Sequence, residues 1–78
     1  MKKSNVKDLL DARKVSYTMK DTKFGEILFQ CVIFRKIAKI TEGVNTIYIE
    51  FPFGEFPNKR FDNIEQLNLY LEQGNGGK

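Results

Sequence analysis

Residues 26–41 have the sequence EILFQCVIFRKIAKIT, and the fold of the chain depends on how this stretch is arranged. It is dense in Ile, Phe, Val and Cys, which favour a pleated strand over a helix. A helix would suit Glu26 at the start and Gly43 beyond the end. Such a helix would be apolar nearly all round for two turns, and a chain of 78 residues could hardly cover it. We therefore predict one long strand that bends near Arg35, with two strands or a helix as the alternatives.

The alternation within this stretch predicts which side chains face the interior. Ile27, Phe29, Cys31 and Ile33 are spaced two residues apart, so they share one face of an extended chain. The hydrophobic positions of the other elements complete the expected core. The residues expected to be largely buried are Leu10, Ile33, Ile49, Leu67 and Leu71.

Upstream of this stretch, the sequence predicts a short helix followed by a strand. Ser4 is a good N-cap, and apolar residues recur at helical spacing over residues 5–13. Val15, Tyr17 and Met19 then alternate with polar residues, which is the period of a strand with one exposed face.

Downstream of it, residues 42–45 read Glu-Gly-Val-Asn, which is typical of a hairpin turn. The alternation that follows predicts a strand over residues 47–51. Pro52 and Pro57 cannot donate to a sheet ladder, so they bracket a loop. A short further strand is possible at residues 58–61.

The last element predicted is a helix, and it completes the fold class. Asp62 followed by Glu65 has the spacing of a capping box, and Gly74 is a typical helix stop. The predicted fold is α+β, a small antiparallel sheet of three to four strands flanked by an N-terminal and a C-terminal helix, in the order α-β-β-β-α. Residues 1–73 are expected to form the single domain, and residues 74–78 a flexible Gly-rich tail.

Composition excludes several classes of function. The chain has no histidine and one cysteine, so it lacks the commonest acid–base group at neutral pH, the commonest metal ligand and any thiolate cluster. We therefore predict no enzyme activity, no cofactor and no metal site. Ten Asp and Glu residues in a chain of net charge +3 are too few for a mimic of DNA.

Cysteine usage and hydropathy indicate the compartment. A small secreted domain usually carries several disulfides, which a single cysteine cannot provide. The longest apolar run is far shorter than the roughly 20 residues of a membrane-spanning helix. We therefore expect a soluble cytoplasmic protein with no membrane partner.

One candidate binding site is the loop FPFGEFP at residues 51–57. Two interpretations of its phenylalanines stay open. At least two rings could cover the open end of a small core, or the loop could be a stiff protrusion that binds a partner. On the second interpretation, the binding residues are Phe53, Glu55 and Phe56.

The second candidate site is basic and consists of Arg35, Lys36 and Lys39. If these cations converge on one face near Tyr48 or Tyr17, they can hold a nucleic-acid backbone and stack bases. Alternatively, they are solvated charges that keep sheet edges from pairing. Further basic residues that could join them are Arg13, Lys14, Lys59 and Arg60.

Residues 60–67 have the sequence RFDNIEQL. They resemble a stretch of small phage anti-CRISPR proteins of the type I-F group. In that stretch an Arg, a Phe-Asp and a Glu-Gln-Leu lead from a strand into an amphipathic helix. The resemblance covers these eight residues and transfers no functional residue, because the segment is structural. It implies an inhibitor of a host defence machine, encoded by a phage or mobile element and bound to a host protein or ribonucleoprotein complex in the host cytoplasm. We therefore expect a small non-enzymatic binding protein that acts by protein–protein contact. The alternative is a small basic nucleic-acid-binding module.

Overall fold

A computed structural model describes residues 4–76, with side chains described as far as residue 73. Two helices bracket five strands. The elements in chain order are α1 Asn5–Ala12, β1 Tyr17–Asp21, β2 Ile27–Ile33, β3 Lys36–Glu42, β4 Ile47–Glu50, β5 Lys59–Phe61 and α2 Ile64–Gly76. The strands form one sheet in the order β1-β2-β3-β4-β5, and every neighbouring pair is antiparallel. The predicted α+β class with two flanking helices is confirmed.

The stretch at residues 26–41 is extended, but it is two strands and not one bent strand. The chain turns back at Phe34 and Arg35, and Ile33 pairs with Lys36 across the turn. Both turn residues have positive φ, 54° at Phe34 and 67° at Arg35, which is the geometry of a type I′ hairpin. This turn explains why the sheet has five strands instead of the three to four predicted.

The core lies between the two helices and one face of the sheet. Ile27, Phe29, Cys31 and Ile33 are all buried, as the alternation predicted, and the residues between them are more exposed. The five predicted core residues are buried as well. A single hydrophobic cluster contains side chains from both helices and from β2, β3, β4 and β5. Because both helices pack on one face of the sheet, the opposite face is left uncovered.

The helix ends follow local capping rules. Ser4 caps α1, since its hydroxyl accepts a hydrogen bond from the Lys7 amide at 3.0 Å. At α2 the capping residue is Asn63, whose Oδ1 accepts from the Gln66 amide at 3.0 Å. The predicted cap at Asp62 is therefore wrong by one residue, because Asp and Asn are nearly equal as N-caps and the sequence offers both.

The C-terminal helix runs to Gly76, two residues past the predicted stop at Gly74. The mobility expected of residues 74–78 stays a prediction, and residues 77 and 78 lie outside the described residues. No helix in the described part of the chain combines the length and the apolar character needed to span a membrane.

Candidate functional site

The β2–β3 turn and the loop after β4 lie at the same end of the sheet, because β2 and β4 both run antiparallel to β3. This end carries five of the seven residues that the sequence predicted for partner binding. We call them the loop end: Arg35, Lys36, Phe53, Glu55 and Phe56.

An aromatic cluster holds the loop end together. The Phe34 ring lies 6.4 Å from that of Phe51, 5.5 Å from that of Phe56 and 5.3 Å from that of Tyr70, measured between centroids. Phe51 and Phe56 meet edge to face at 5.0 Å. Phe51 is buried and Phe56 is partly buried, so these rings cover the end of the core. Phe56 is thus mainly a packing residue.

Phe53 differs from its neighbours, because 71% of it is exposed. The turn that carries it is anchored on both sides. The Gly54 amide donates to the Phe51 carbonyl at 2.9 Å, and the Phe51 amide donates to Asn58 Oδ1 at 3.1 Å. Gly54 has a φ of 76°, which explains a glycine at this position. The loop therefore presents one accessible ring on an anchored turn, beside two rings that cover the core.

The predicted basic site is divided by the sheet. Lys36 and Lys39 are three residues apart in β3, so their side chains leave opposite faces of the sheet. Arg35 is exposed at the turn, in the loop end. Lys39 lies on the face that the helices leave uncovered, together with Tyr48. The structure therefore does not place Arg35, Lys36 and Lys39 on one face.

The uncovered face of the sheet brings together residues that the sequence analysis did not group into one site. We call it the open face: Thr18, Lys20, Leu28, Gln30, Val32, Ile37, Lys39, Thr41, Tyr48, Glu50 and Arg60. Lys20 belonged to no predicted site, and Arg60 was only a possible addition to the basic site. Their outward direction could be read from the alternation, but their proximity to Tyr48 depends on strand pairing, which the sequence does not show.

Other basic residues have structural contacts. Arg13 donates to Asn68 Oδ1 at 2.7 Å and lies 3.6 Å from a Glu72 carboxylate oxygen, which ties α1 to α2. Lys59 Nζ lies 5.6 Å from the centroid of the Tyr70 ring, a cation–π distance.

Five titratable groups among the described residues have a shifted pKa, and they are Lys7, Asp11, Tyr17, Cys31 and Tyr70. Burial raises the pKa of the Cys31 thiol to about 11, so it stays protonated and weakly nucleophilic at neutral pH. The Lys7 ammonium hydrogen bond lowers the pKa of Asp11, and the bond that Tyr17 donates to this carboxylate raises the phenol pKa. A higher phenol pKa keeps Tyr17 protonated at neutral pH. No group of three or more potential metal ligands occurs within the residues that the structure describes.

No protein-family model, curated protein or solved structure matches this chain. The geometry of the loop end and of the open face is therefore the basis for any statement about function.

Proposed function

We propose that the chain is a small non-enzymatic binding protein that acts by protein–protein contact through the loop end. The observation that carries this proposal is the exposed Phe53 ring on an anchored turn. An exposed aromatic ring is a typical anchor of a protein interface, because a partner's pocket can desolvate all of it.

Preorganisation supports the same proposal. The turn bearing Phe53 is held by two hydrogen bonds and lies between Pro52 and the packed Phe56 ring. A turn whose backbone is already held in place loses little conformational entropy when a partner binds its ring. Exposed charges of both signs lie at the same end of the sheet, with Arg35 and Lys36 at the β2–β3 turn and Glu55 in the loop, and these would select the partner's orientation.

The narrower form of the proposal is an anti-CRISPR-like inhibitor that occupies a surface of a host defence machine. Its support is the local resemblance at residues 60–67 and the small size of the chain. In the structure these residues end β5 and begin α2, with Phe61 and Leu67 in the core. Phe61 and Leu67 therefore stabilise the fold, and the proposal assigns the protein contact to the loop end.

The experiment compares two exposed phenylalanines at opposite ends of the sheet. Phe24 lies in the β1–β2 turn and is 86% exposed, so Phe24→Ala is a matched control for Phe53→Ala. Each tagged variant is used to capture partners from nuclease-treated bacterial lysate, and the affinity for the captured protein is then measured by calorimetry. We expect Phe53→Ala to weaken binding by about 2 kcal/mol or more and Phe24→Ala to leave it unchanged.

Equal binding by both variants and the wild type, with unchanged thermal melting, would refute the loop end as the site. The narrower form is tested in cells that carry a type I-F CRISPR system against a phage. Expression of the chain should restore phage plaques, and Phe53→Ala should abolish the effect. If no plaques return with the wild type, the anti-CRISPR form is wrong.

A further inference from the structure

The open face carries an excess of positive charge. Lys20, Lys39 and Arg60 lie on it, against a single carboxylate, Glu50. No ion pair within hydrogen-bonding or salt-bridge distance joins these four residues in the described part of the chain. Glu50 stands directly opposite Lys39, whereas Lys20 and Arg60 have no carboxylate opposite them in the sheet. A surface with such a positive excess attracts an anionic partner.

The opposite side of the molecule has the reverse balance. The sequences of α1 and α2 contain four carboxylates and one lysine, and two further cations, Arg13 and Lys14, directly follow α1. The ion pairs observed among residues 4–73, Lys7–Asp11 and Arg13–Glu72, both lie on this helical side. The open face, with three cations against Glu50, thus accounts for +2 of the chain's net charge of +3.

The cations on the open face are organised by strand pairing. One continuous row crosses all five strands, with each residue directly opposite the next. In order from β1 to β5, the row consists of Lys20, Leu28, Thr41, Tyr48 and Arg60. Four interstrand spacings of about 4.8 Å make the row about 19 Å long. A cation therefore stands at each end of a row that contains an aromatic ring.

Tyr48 has the surroundings that a base-stacking residue needs. It is 37% exposed, and its cross-strand neighbours are Thr41 and Arg60. In the adjacent row, Thr18, Gln30 and Lys39 supply hydrogen-bonding groups across three strands. Aromatic rings that stack bases, beside cations that follow the phosphates, are how proteins hold single strands.

We propose that the open face binds single-stranded nucleic acid, with Lys20, Lys39 and Arg60 on the phosphates and Tyr48 stacked on a base. A duplex does not fit this arrangement, because its bases are already stacked on each other and cannot reach Tyr48. A second copy of the chain is also disfavoured as the occupant, because a twofold contact through this face would place two positively charged surfaces against each other. The surface is separate from the loop end, so this site goes beyond the proposed protein contact.

The test measures fluorescence anisotropy of labelled oligouridylate and oligodeoxythymidylate, each about 15 nucleotides long. Three proteins are compared with the wild type: the triple variant Lys20→Gln/Lys39→Gln/Arg60→Gln, the ring variant Tyr48→Leu, and the control Lys7→Gln. Lys7 lies on α1, on the helical side, so the control removes a positive charge away from the open face. A glutamate peptide of equal length is the third probe, and it separates an acidic protein partner from a nucleic acid.

We expect the wild type to bind one or both oligonucleotides, with log affinity falling linearly in log salt and a slope of about −2 for three phosphate contacts. The triple variant should lose at least about tenfold in affinity and most of that slope. Tyr48→Leu should lose about tenfold with the slope unchanged, because stacking is not an ionic contact. Lys7→Gln should bind within about twofold of the wild type.

Three results would overturn the proposal. The first is no binding of either oligonucleotide at low salt. The second is equal weakening by the triple variant and by Lys7→Gln, which would show a diffuse charge effect with no site. The third is binding of the glutamate peptide as tightly as the oligonucleotides, with no effect of Tyr48→Leu, which would assign the face to an acidic protein. All substituted side chains are on the surface, and melting curves verify that each variant is folded.

Discussion

Replacement of Leu67 by alanine tests whether α2 is docked as the structure shows. Leu67 is 0% exposed and belongs to the cluster that joins both helices to the sheet. Removal of a buried leucine side chain loses its transfer free energy and leaves a cavity, which together amount to roughly 2–5 kcal/mol. A chain of this length has a total stability of about 4–12 kcal/mol, so Leu67→Ala should remove a large part of it.

The same helix provides a matched control. Leu69 is two residues away and 57% exposed, on the solvent side of α2. Leu69→Ala makes the same chemical change without a buried cavity, and we expect its effect on the free energy of unfolding to stay within about 0.5 kcal/mol.

Urea denaturation followed by circular dichroism measures both variants, and the shift in midpoint converts to free energy through the common slope. Thermal melting should agree, with Leu67→Ala lowering the midpoint by roughly 10 °C or more. A loss below about 1 kcal/mol for Leu67→Ala, or an equal loss for both leucines, would refute the packing of α2 on the sheet.

Two further predictions concern the turn and the buried thiol. Arg35 has a φ of 67°, so Arg35→Gly should leave the free energy of unfolding unchanged or raise it by up to about 1 kcal/mol. The β-branched substitution Arg35→Val should lower the free energy of unfolding by about 1 kcal/mol or more. Urea denaturation measures both variants. If valine is tolerated as well as glycine, the turn is not left-handed at this residue. For Cys31, burial raises the thiol pKa from 9.0 to about 11, so the unfolded chain releases this proton at a lower pH than the folded one. Its contribution to stability is complete below pH 9 and should decline as the pH rises toward about 11, and Cys31→Ala should show a smaller decline over the same range.

Much of the fold could be predicted because it depends on local patterns. The alternation in residues 27–33 identifies the buried face of β2 without any knowledge of its neighbours. The spacing of Leu67 and Leu71 does the same for α2, and Ser4 marks the start of α1. An accessible ring in the loop could also be anticipated from the prolines and the glycine, but the choice of Phe53 over Phe56 could not.

The turn at Phe34 and Arg35 could not be predicted in this way. Tight hairpins with positive φ at both positions usually carry Asn-Gly or a similar pair, and Phe-Arg has none of that preference. The left-handed conformation costs each of these residues about 1–2 kcal/mol. Packing of the Phe34 ring against Phe51, Phe56 and Tyr70 offsets this cost, and those contacts span 17 to 36 residues along the chain.

The candidate sites also combine features that the sequence determines with features that depend on the tertiary structure. The sequence by itself determined the α+β class, the buried faces of β2 and α2, and the lack of histidine or paired thiols, since these depend only on composition and on periods of two or 3.6 residues. The separation of Lys36 and Lys39 also follows from their spacing of three residues in an extended chain. Only the tertiary structure decided that Lys20, Tyr48 and Arg60 share one row of the open face. The physical reason is that strand register is set by turns and by the burial of distant side chains, so neighbours across a sheet cannot be read from spacing along the chain.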